Sequence, residues 1–557
     1  MLKRSGLVAD IERRWLIQLT ALSVNRQHGD QRGCVRLVII LEPGAQFTLF
    51  ARLAIVAARK SSVNIRRFFL HAELKPALAA IVLVVAGCAS GPDYVRPAFP
   101  SPAVYKEAGQ WKPAQPQDAD ANQPWWARYG DADLDALVAQ ANAASQDMRI
   151  AEAQYRQARA AAQLARAGFL PTVGAGISVG RARTQTSAGP ATVHNNSLTL
   201  DASWEPDIWG RVQRSVEAGE AAAQASAADL AAARLSIQAE LVQDYLQLRV
   251  TDAQKDLLLQ TVKEYRKALA LTHSQYRAGV ATGADVALAE TQLYSTSAQA
   301  IDLDVQRTQL EHAIAILTGR APAEVTIPAR PAGDLGLALP EVPAALPSQL
   351  LERRPDIAAA ERRAAAANAS IGVAQSAYFP NLMLSAAGGF ANSSFSHWLT
   401  APSRIWSLGA ALAATIFDGG ARRAQTDAAV AAYDATAAQY KRTVLAGFQE
   451  VEDNLAALRV LDDERSVQDA AVRSAGVAAR ASLAQYRAGT ATYLSVVTSQ
   501  SALLTNQRTA VQLRGRQLVA SAALVKALGG GWNVSELADV AVPVPPSPAA
   551  PSAAASH

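Results

Sequence analysis

Cysteine is almost absent from this sequence: Cys34 and Cys88 are the two among 557 residues. Two thiols can build neither a disulfide scaffold nor a thiolate metal cluster. Methionine is as scarce, with Met148 and Met383 the only ones after Met1, which argues against soft-metal traffic through methionine clusters. Long apolar runs are missing too. The longest, Ala77 to Gly87, falls far short of the ~20 residues that a membrane-spanning helix needs, so a polytopic helical membrane protein is excluded. The 7 histidines are scattered, none forms HExxH, and no phosphate-binding GxxxxGKS or GxxxxGKT loop occurs. Metal catalysis and nucleotide hydrolysis have no support, and energy for any transport must come from a partner. Gly176-Ile-Ser178-Val-Gly180 satisfies the GxSxG pattern of hydrolases. Ser178 nevertheless lies inside an alternating segment rather than on a strand-to-helix turn, so no catalytic residue, cofactor or metal ligand is assigned.

The formal charge of +5 is misleading as a sign of nucleic-acid binding. Residues 1–87 hold 13 Lys and Arg against 5 acids, whereas the chain from Cys88 onward holds 40 basic and 43 acidic residues. The same N-terminal stretch carries an address. Arg66, Arg67 and Lys75 precede Pro-Ala-Leu-Ala-Ala-Ile-Val-Leu-Val-Val-Ala-Gly, which runs into Cys88, and Gly-Pro-Asp-Tyr soon ends any helix. This resembles a bacterial lipoprotein signal, which implies cleavage before Cys88 and acylation of its sulfur, with Ala89 compatible with sorting to the outer membrane. Residues 63–87 are read as the signal peptide. Residues 1–62 are read as an over-extended or disordered start; no Met occurs between Met1 and Met148, so initiation within the stretch needs an alternative codon such as Val63.

Beyond Cys88 the chain repeats itself. Gln-Tyr-Arg-Ala-Gly occurs at 275–279 and again at 485–489, an offset of 210 residues kept by Leu248-Arg249 with Leu458-Arg459 and by Ala281-Thr282 with Ala491-Thr492. Such a period is a domain-scale duplication, placing one repeat at 131–330 and a second at 331–533, after an extended segment at 88–130 and before a Pro/Ala-rich tail at 534–557. Each half contains two alternating segments. Val173, Ala175, Ile177 and Val179 alternate with Gly and Ser; Leu198, Leu200, Ala202 and Trp204 alternate with Thr199, Asp201 and Ser203. The second half answers with Leu382, Leu384 and Ala386, then with Trp406, Leu408, Ala410, Leu412, Ala414 and Ile416. Strands are expected near 171–183, 196–208, 380–391 and 405–417, with the signature of an outer-membrane barrel. Four strands in lipid leave open edges, so the barrel must close between subunits; the pattern does not choose between two copies and three.

Between the strands lie long helical stretches. No proline and a single glycine, Gly219, interrupt Arg211 to Arg277, whose 67 residues span about 100 Å as one helix. Gly420 to Tyr486 is its counterpart, with Val444, Phe448, Val451, Leu455 and Leu458 at seam spacing, while Leu504, Val511, Leu518, Val525 and Leu303, Leu310, Leu317 recur every seven residues in the return helices. Gly279 and Gly489 sit where each outgoing helix must turn back. Arg353-Arg354-Pro355-Asp356 reads as the start of a helix, a structural role.

These residues resemble the TolC-like outer-membrane efflux lipoproteins, in the branch that includes OprM and NodT. The similarity runs from Cys88 to about Asn533, through CASGPDYVRP, WEPDIWGR at 204–211, LLERRPDIAAAE at 350–361, ANASIGVAQSAYFP at 367–380, both QYRAG turns and KALGGGW at 526–532. The resemblance implies a homotrimer with four strands per subunit in a twelve-stranded outer-membrane barrel, continued by a periplasmic helical barrel. It implies the exit duct of a tripartite multidrug pump of the RND type, with a periplasmic membrane-fusion adaptor and an inner-membrane transporter as partners. By the same resemblance Tyr276, Arg277, Gly279, Tyr486, Arg487 and Gly489 form adaptor-docking tips. Leu494 matches a leucine of the periplasmic gate, Asp285 matches an acid after the first turn, and Ser495 and Thr498 stand where gate acids are common. A secretion or metal-efflux duct is the alternative; a periplasmic coiled-coil adaptor lipoprotein fits less well because it would lack four strands with a lipid-facing parity.

Overall fold

In the computed structural model the described residues are 90–100, 102, 104–108, 124–187, 189–330, 353–535 and 537. Cys88, the expected signal at 63–87, the start at 1–62 and nearly all of the tail lie outside them. In chain order the main elements are α1 (Ala132–Ala144), α2 (Gln146–Ala167), β1 (Thr172–Thr186), β2 (Gly189–Trp204), α3 (Arg211–Arg277), α4 (Gly283–Leu317), α5 (Pro355–Ser376), β3 (Asn381–Asn392), β4 (Arg404–Ala413), α6 (Ala421–Arg487) and α7 (Tyr493–Ala527). The duplication is literal. α3 and α6 each run 67 residues, α4 and α7 each run 35, and α2 and α5 each run 22.

Four strand boundaries differ from those the alternation suggested; β1 runs on to Thr186 rather than 183, and β2 ends at Trp204, short of 208. β2 begins at Gly189 rather than near 196, because Thr192, Val193 and His194 pair with β1 although they carry no apolar period. β4 ends at Ala413, short of 417, since Asp418 already serves the next helix: it accepts from the backbone N–H of Gly420 (3.0 Å) and of Arg422 (3.1 Å). At the matching junction Asp207 accepts from the N–H groups of Val212 (2.9 Å) and Gln213 (2.7 Å), satisfying orphan donors at the start of α3.

The helices pack through the seams that the spacing marked. Leu241, Tyr245, Leu248, Val444, Val451, Leu455 and Leu518 are fully or almost fully buried in the largest core cluster. α3 packs on α2, α4 and α5, α6 on α5 and α7, and α7 returns to α3. Midway along the helices, α1 and the segments before it and after α4 form a belt. Tyr245 Oη donates to buried Asp131 at 2.6 Å, Arg330 Nη1 binds the same carboxylate at 2.9 Å, and Arg249 Nη1 reaches the carbonyl of Pro328 at 2.8 Å. Burial raises the pKa of Asp131, and the hydrogen bonds from Tyr245 and from the N–H of Asp133 together with Arg330 outweigh it, so this carboxyl titrates below its ordinary range.

The family-like motifs away from the tips prove to be fasteners. Arg354 is buried, paired with Asp356 (2.6 Å) and Glu450 (2.6 Å), and donates to the carbonyl of Ala527 at 3.1 Å. Gly529, at φ +93°, lies so close to that start that a Cβ there would come within 1.9 Å of the Arg353 carbonyl oxygen. The RRPD start and the KALGGGW end of the second repeat thus lock together. The described residues between 90 and 108 are fastened to the helices: Ser90 N–H donates to the carbonyl of Trp209 (3.2 Å), Tyr94 to Glu361 (2.8 Å), Arg96 to Tyr440 (3.3 Å), and Arg459 to Glu107 (2.6 Å).

Candidate functional site: the sheet and the helix tips

Two regions carry the functional geometry. The first is the antiparallel sheet, in the order β1-β2-β3-β4. Directly opposed residues share a face, and the register sorts the faces cleanly. Ile177 opposes Leu198, which opposes Phe390; Ala175 opposes Leu200; Ala386 opposes both Ala202 and Leu408; Leu382 opposes Leu412. The other face presents Gly174, Gly176, Ser178, Thr199, Asp201, Ser203, Ser385, Ser407 and Gly409. The apolar face is open on the subunit: Leu200 is 58% and Leu408 75% exposed. Aromatic rings lie at its two ends. Trp406 is near one, while Trp204, Phe169 and the stacked pair Trp209–Phe379 (4.9 Å between centroids) cluster where strands meet helices. Ser178 lies within β1 opposite Ser197, with no turn into a helix there.

The second region is the pair of helix tips farthest along the chain from the strands. Both turns close in the same way: Gly279 (φ +74°) donates to the carbonyl of Tyr276 at 3.0 Å and Val280 to that of Gln275 at 2.8 Å, and Gly489 (φ +72°) and Thr490 repeat this on Tyr486 and Gln485. The left-handed residue and its paired bonds satisfy the last carbonyls of the helix. Arg277 and Arg487 are exposed beside them. The two tyrosines part company. Tyr276 is 51% exposed, whereas Tyr486 is 7% exposed, its ring 5.2 Å from that of Tyr493 and its hydroxyl 3.4 Å from Thr272 Oγ1. Tyr486 builds the core of the tip, with Tyr493 and Val496.

Just beyond the turns, Asp285 and Ser495 occupy equivalent places in the two repeats. Asp285 closes a capping box: its Oδ2 accepts from Thr282 N–H at 2.8 Å, and Thr282 Oγ1 accepts from Asp285 N–H at 3.2 Å. Thr492 and Ser495 form no such box: their hydroxyls lie 3.2 Å apart, and Ser495 N–H donates to the Thr492 carbonyl at 3.2 Å. Leu494 is 58% exposed and therefore outside the α6–α7 seam, which is built from Tyr493 and Val496. Thr498 Oγ1 donates to the Leu494 carbonyl at 3.0 Å, so the two residues sit one turn apart on one exposed face.

The described residues contain no cluster of three or more His, Cys, Asp or Glu able to hold a metal and no helix apolar and long enough to cross a membrane. The sheet is the membrane candidate, and comparison with known proteins decides its setting. The sequence model of the Outer membrane efflux protein family matches residues 137–320 and, a second time, 346–530. The chain belongs to that family. Its two matches are the two repeats. Among relatives, the pyoverdine export outer membrane protein OpmQ of Pseudomonas aeruginosa is 32% identical over 467 residues, covering 82% of this chain and 96% of that protein. The cation efflux system protein CusC of Escherichia coli is 28% identical over 456 residues, covering 81% and 98%. The solved outer-membrane channel OprN superposes with a TM-score of 0.76 at 30% identity, covering 80% of this chain and all of that one. The protein is thus an outer-membrane efflux duct rather than an enzyme, with the trimeric fold of its family: β1–β4 contribute to the barrel and the long helices extend into the periplasm.

The two faces generate a test. A cation at the bilayer midplane costs about 2–4 kcal/mol on the lipid face and much less in the lumen. Leu200→Arg and Leu408→Arg are expected to abolish the detergent-resistant trimer on gels, whereas Ser203→Arg leaves it intact; equal sensitivity at all three positions contradicts the assignment of faces.

Proposed function

We propose that the protein is the outer-membrane exit duct of a tripartite pump, docked at its helix tips by a periplasmic membrane-fusion adaptor and supplied by an inner-membrane RND-type transporter. The observation that carries this reading is the pair of tips. Two turns of one geometry, 210 residues apart, expose Arg277, Arg487, Gly279 and Gly489 to a partner. Tyr276 adds an exposed ring at the first, and Tyr486 stiffens the second from within. The relatives are named for pyoverdine, for cations and for toluene, so the duct's outline does not set the cargo; selection belongs to the inner-membrane pump. The scarcity of methionine favours an organic compound over a soft metal as cargo.

The gate is proposed at the start of α7. Three copies of Leu494 around the axis form an apolar constriction that resists wetting, and three Thr498 add a polar ring without fixed charge. The first repeat inverts this order, with Asp285 on the first turn of α4 and exposed Leu288 on the next. Leu494→Ala is expected to raise the resting conductance of single channels in planar bilayers severalfold. Thr498→Asp is expected to increase cation preference and to allow divalent ions to block from the periplasmic side. Conductance and block unchanged in both variants place the constriction elsewhere, first at the level of Asp285.

A lipid on Cys88 is the second part of the proposal. Ser90, two residues on, is tied to Trp209 and to Arg214 Nε (3.0 Å), beside the ends of the strands. The fixing of Ser90 beside the strand ends supports an anchor at Cys88, since two residues of chain cover at most about 7 Å. Several acyl chains anchor firmly at ~0.8 kcal/mol per buried CH₂. Intact-mass spectrometry is expected to give a chain starting at an acylated Cys88, and Cys88→Ser to lose the acyl mass while still forming the trimer. An unmodified Cys88 ends the claim.

A further inference from the structure

The charges of the four strands are sorted as sharply as their apolar residues. They are Arg181 and Arg183 on β1, His194 and Asp201 on β2, and Arg404 on β4. The single acid, Asp201, opposes Gly174 and so faces inward. The three arginines share the outward face. Arg181 and Arg183 continue the parity of Ile177 and Val179, Arg181 opposes His194, and Arg404 opposes Phe390 two residues before Trp406. On each of these strands the arginine is the first charge beyond the apolar band on the side away from the helices. All three are exposed, and among the described residues no ion pair or side-chain hydrogen bond engages their guanidinium groups.

We propose that this outward distal rim is a binding surface for the phosphorylated headgroups of outer-leaflet glycolipids. Its position follows from the band itself. Residues of the same parity below the rim touch acyl chains, so the rim lies at the depth of the headgroups. Its charge then selects among them, since guanidinium groups pair bidentately with phosphate and are weakly hydrated. Among the described strand residues no carboxylate shares that face. The shape of the sheet supports the same occupant. β2 pairs with β3 only from Asn196 onward, so the β1–β2 ladder continues alone for seven pairs, about 24 Å beyond β3. This projecting ribbon carries Arg181 and Arg183 on its outer side as a wall against which a large saccharide headgroup can lie. β1 and β4 are also the two free edges of the sheet, so closure of the barrel brings Arg404 of one subunit to the same seam as the arginines of the next. The surface is therefore completed by assembly, and a trimer offers three equal seams.

The inference rests on the lipid-facing assignment of the sheet, and its test separates the two. Full-length trimer in detergent is titrated by native mass spectrometry with bis-phosphorylated lipid A, monophosphoryl lipid A and phosphatidylethanolamine. Wild type is expected to prefer them in that order and to retain lipid A against millimolar inorganic phosphate. The variant R181S/R183S/R404S is expected to lose about tenfold or more in lipid A affinity. Arg423→Ser, which removes a similarly exposed cation at the start of α6, is expected to change nothing. Equal binding of bis-phosphorylated lipid A by wild type and triple variant overturns the proposal, as does a wild type that holds lipid A no better than phosphatidylethanolamine. If the triple variant does not assemble, the lipid ranking in wild type and its weakening by salt still decide. Failure of the barrel assignment shows itself differently, as absence of a wild-type trimer.

Discussion

A β-sheet in lipid must hydrogen-bond every backbone group to another strand, because no water is present to take the place of a missing partner. Here β1 and β4 each have one neighbour, and their outer edges carry donors and acceptors that the subunit cannot satisfy. The rest of the design follows from that debt. Edge must meet edge in another copy, head to tail, and a rotation that closes makes a ring with a lumen. The helices below inherit the ring: α3 and α6 continue directly from β2 and β4, through junctions capped by Asp207 and Asp418.

The duplication explains how a single chain builds such a duct with little invention. One helix–hairpin–helix plan, used twice, supplies four strands and four long helices with matched lengths. Differences between the copies are then informative. The tip of the first repeat exposes Tyr276 and fixes an acid at Asp285; that of the second buries Tyr486 and replaces the acid with Ser495. The halves thus agree in the seams and diverge at the turns.

Much of the fold was legible in the sequence because it is written in periods. Alternation found the four strands and their common face, the seven-residue spacing found the seams, and the absence of proline gave α3 its full 67 residues. The distal half of β2 was illegible, since Gly189 to Asn195 pair with β1 but carry no apolar period. At the tips, the turn glycines announced themselves through local geometry. The burial of Tyr486 did not, because it depends on Tyr493 and Thr272, which are adjacent only after α6 and α7 fold back on α3. The capping role of Asp285 was legible in the Thr282-x-x-Asp285 spacing. The outward arginines were visible as residues, but their common face needed the register.

The central claim is that β1 of one copy pairs with β4 of the next. Disulfide trapping tests it most directly: one cysteine placed in β1 at Ala175, and a second scanned along β4 from Ser407 to Ala411, with oxidation of the protein in its native membrane. The account predicts that at one or two registers the oxidised protein runs on denaturing gels as a covalent ring of three subunits that reduction returns to monomer. Monomer at every register, or cross-links confined within one subunit, would contradict it.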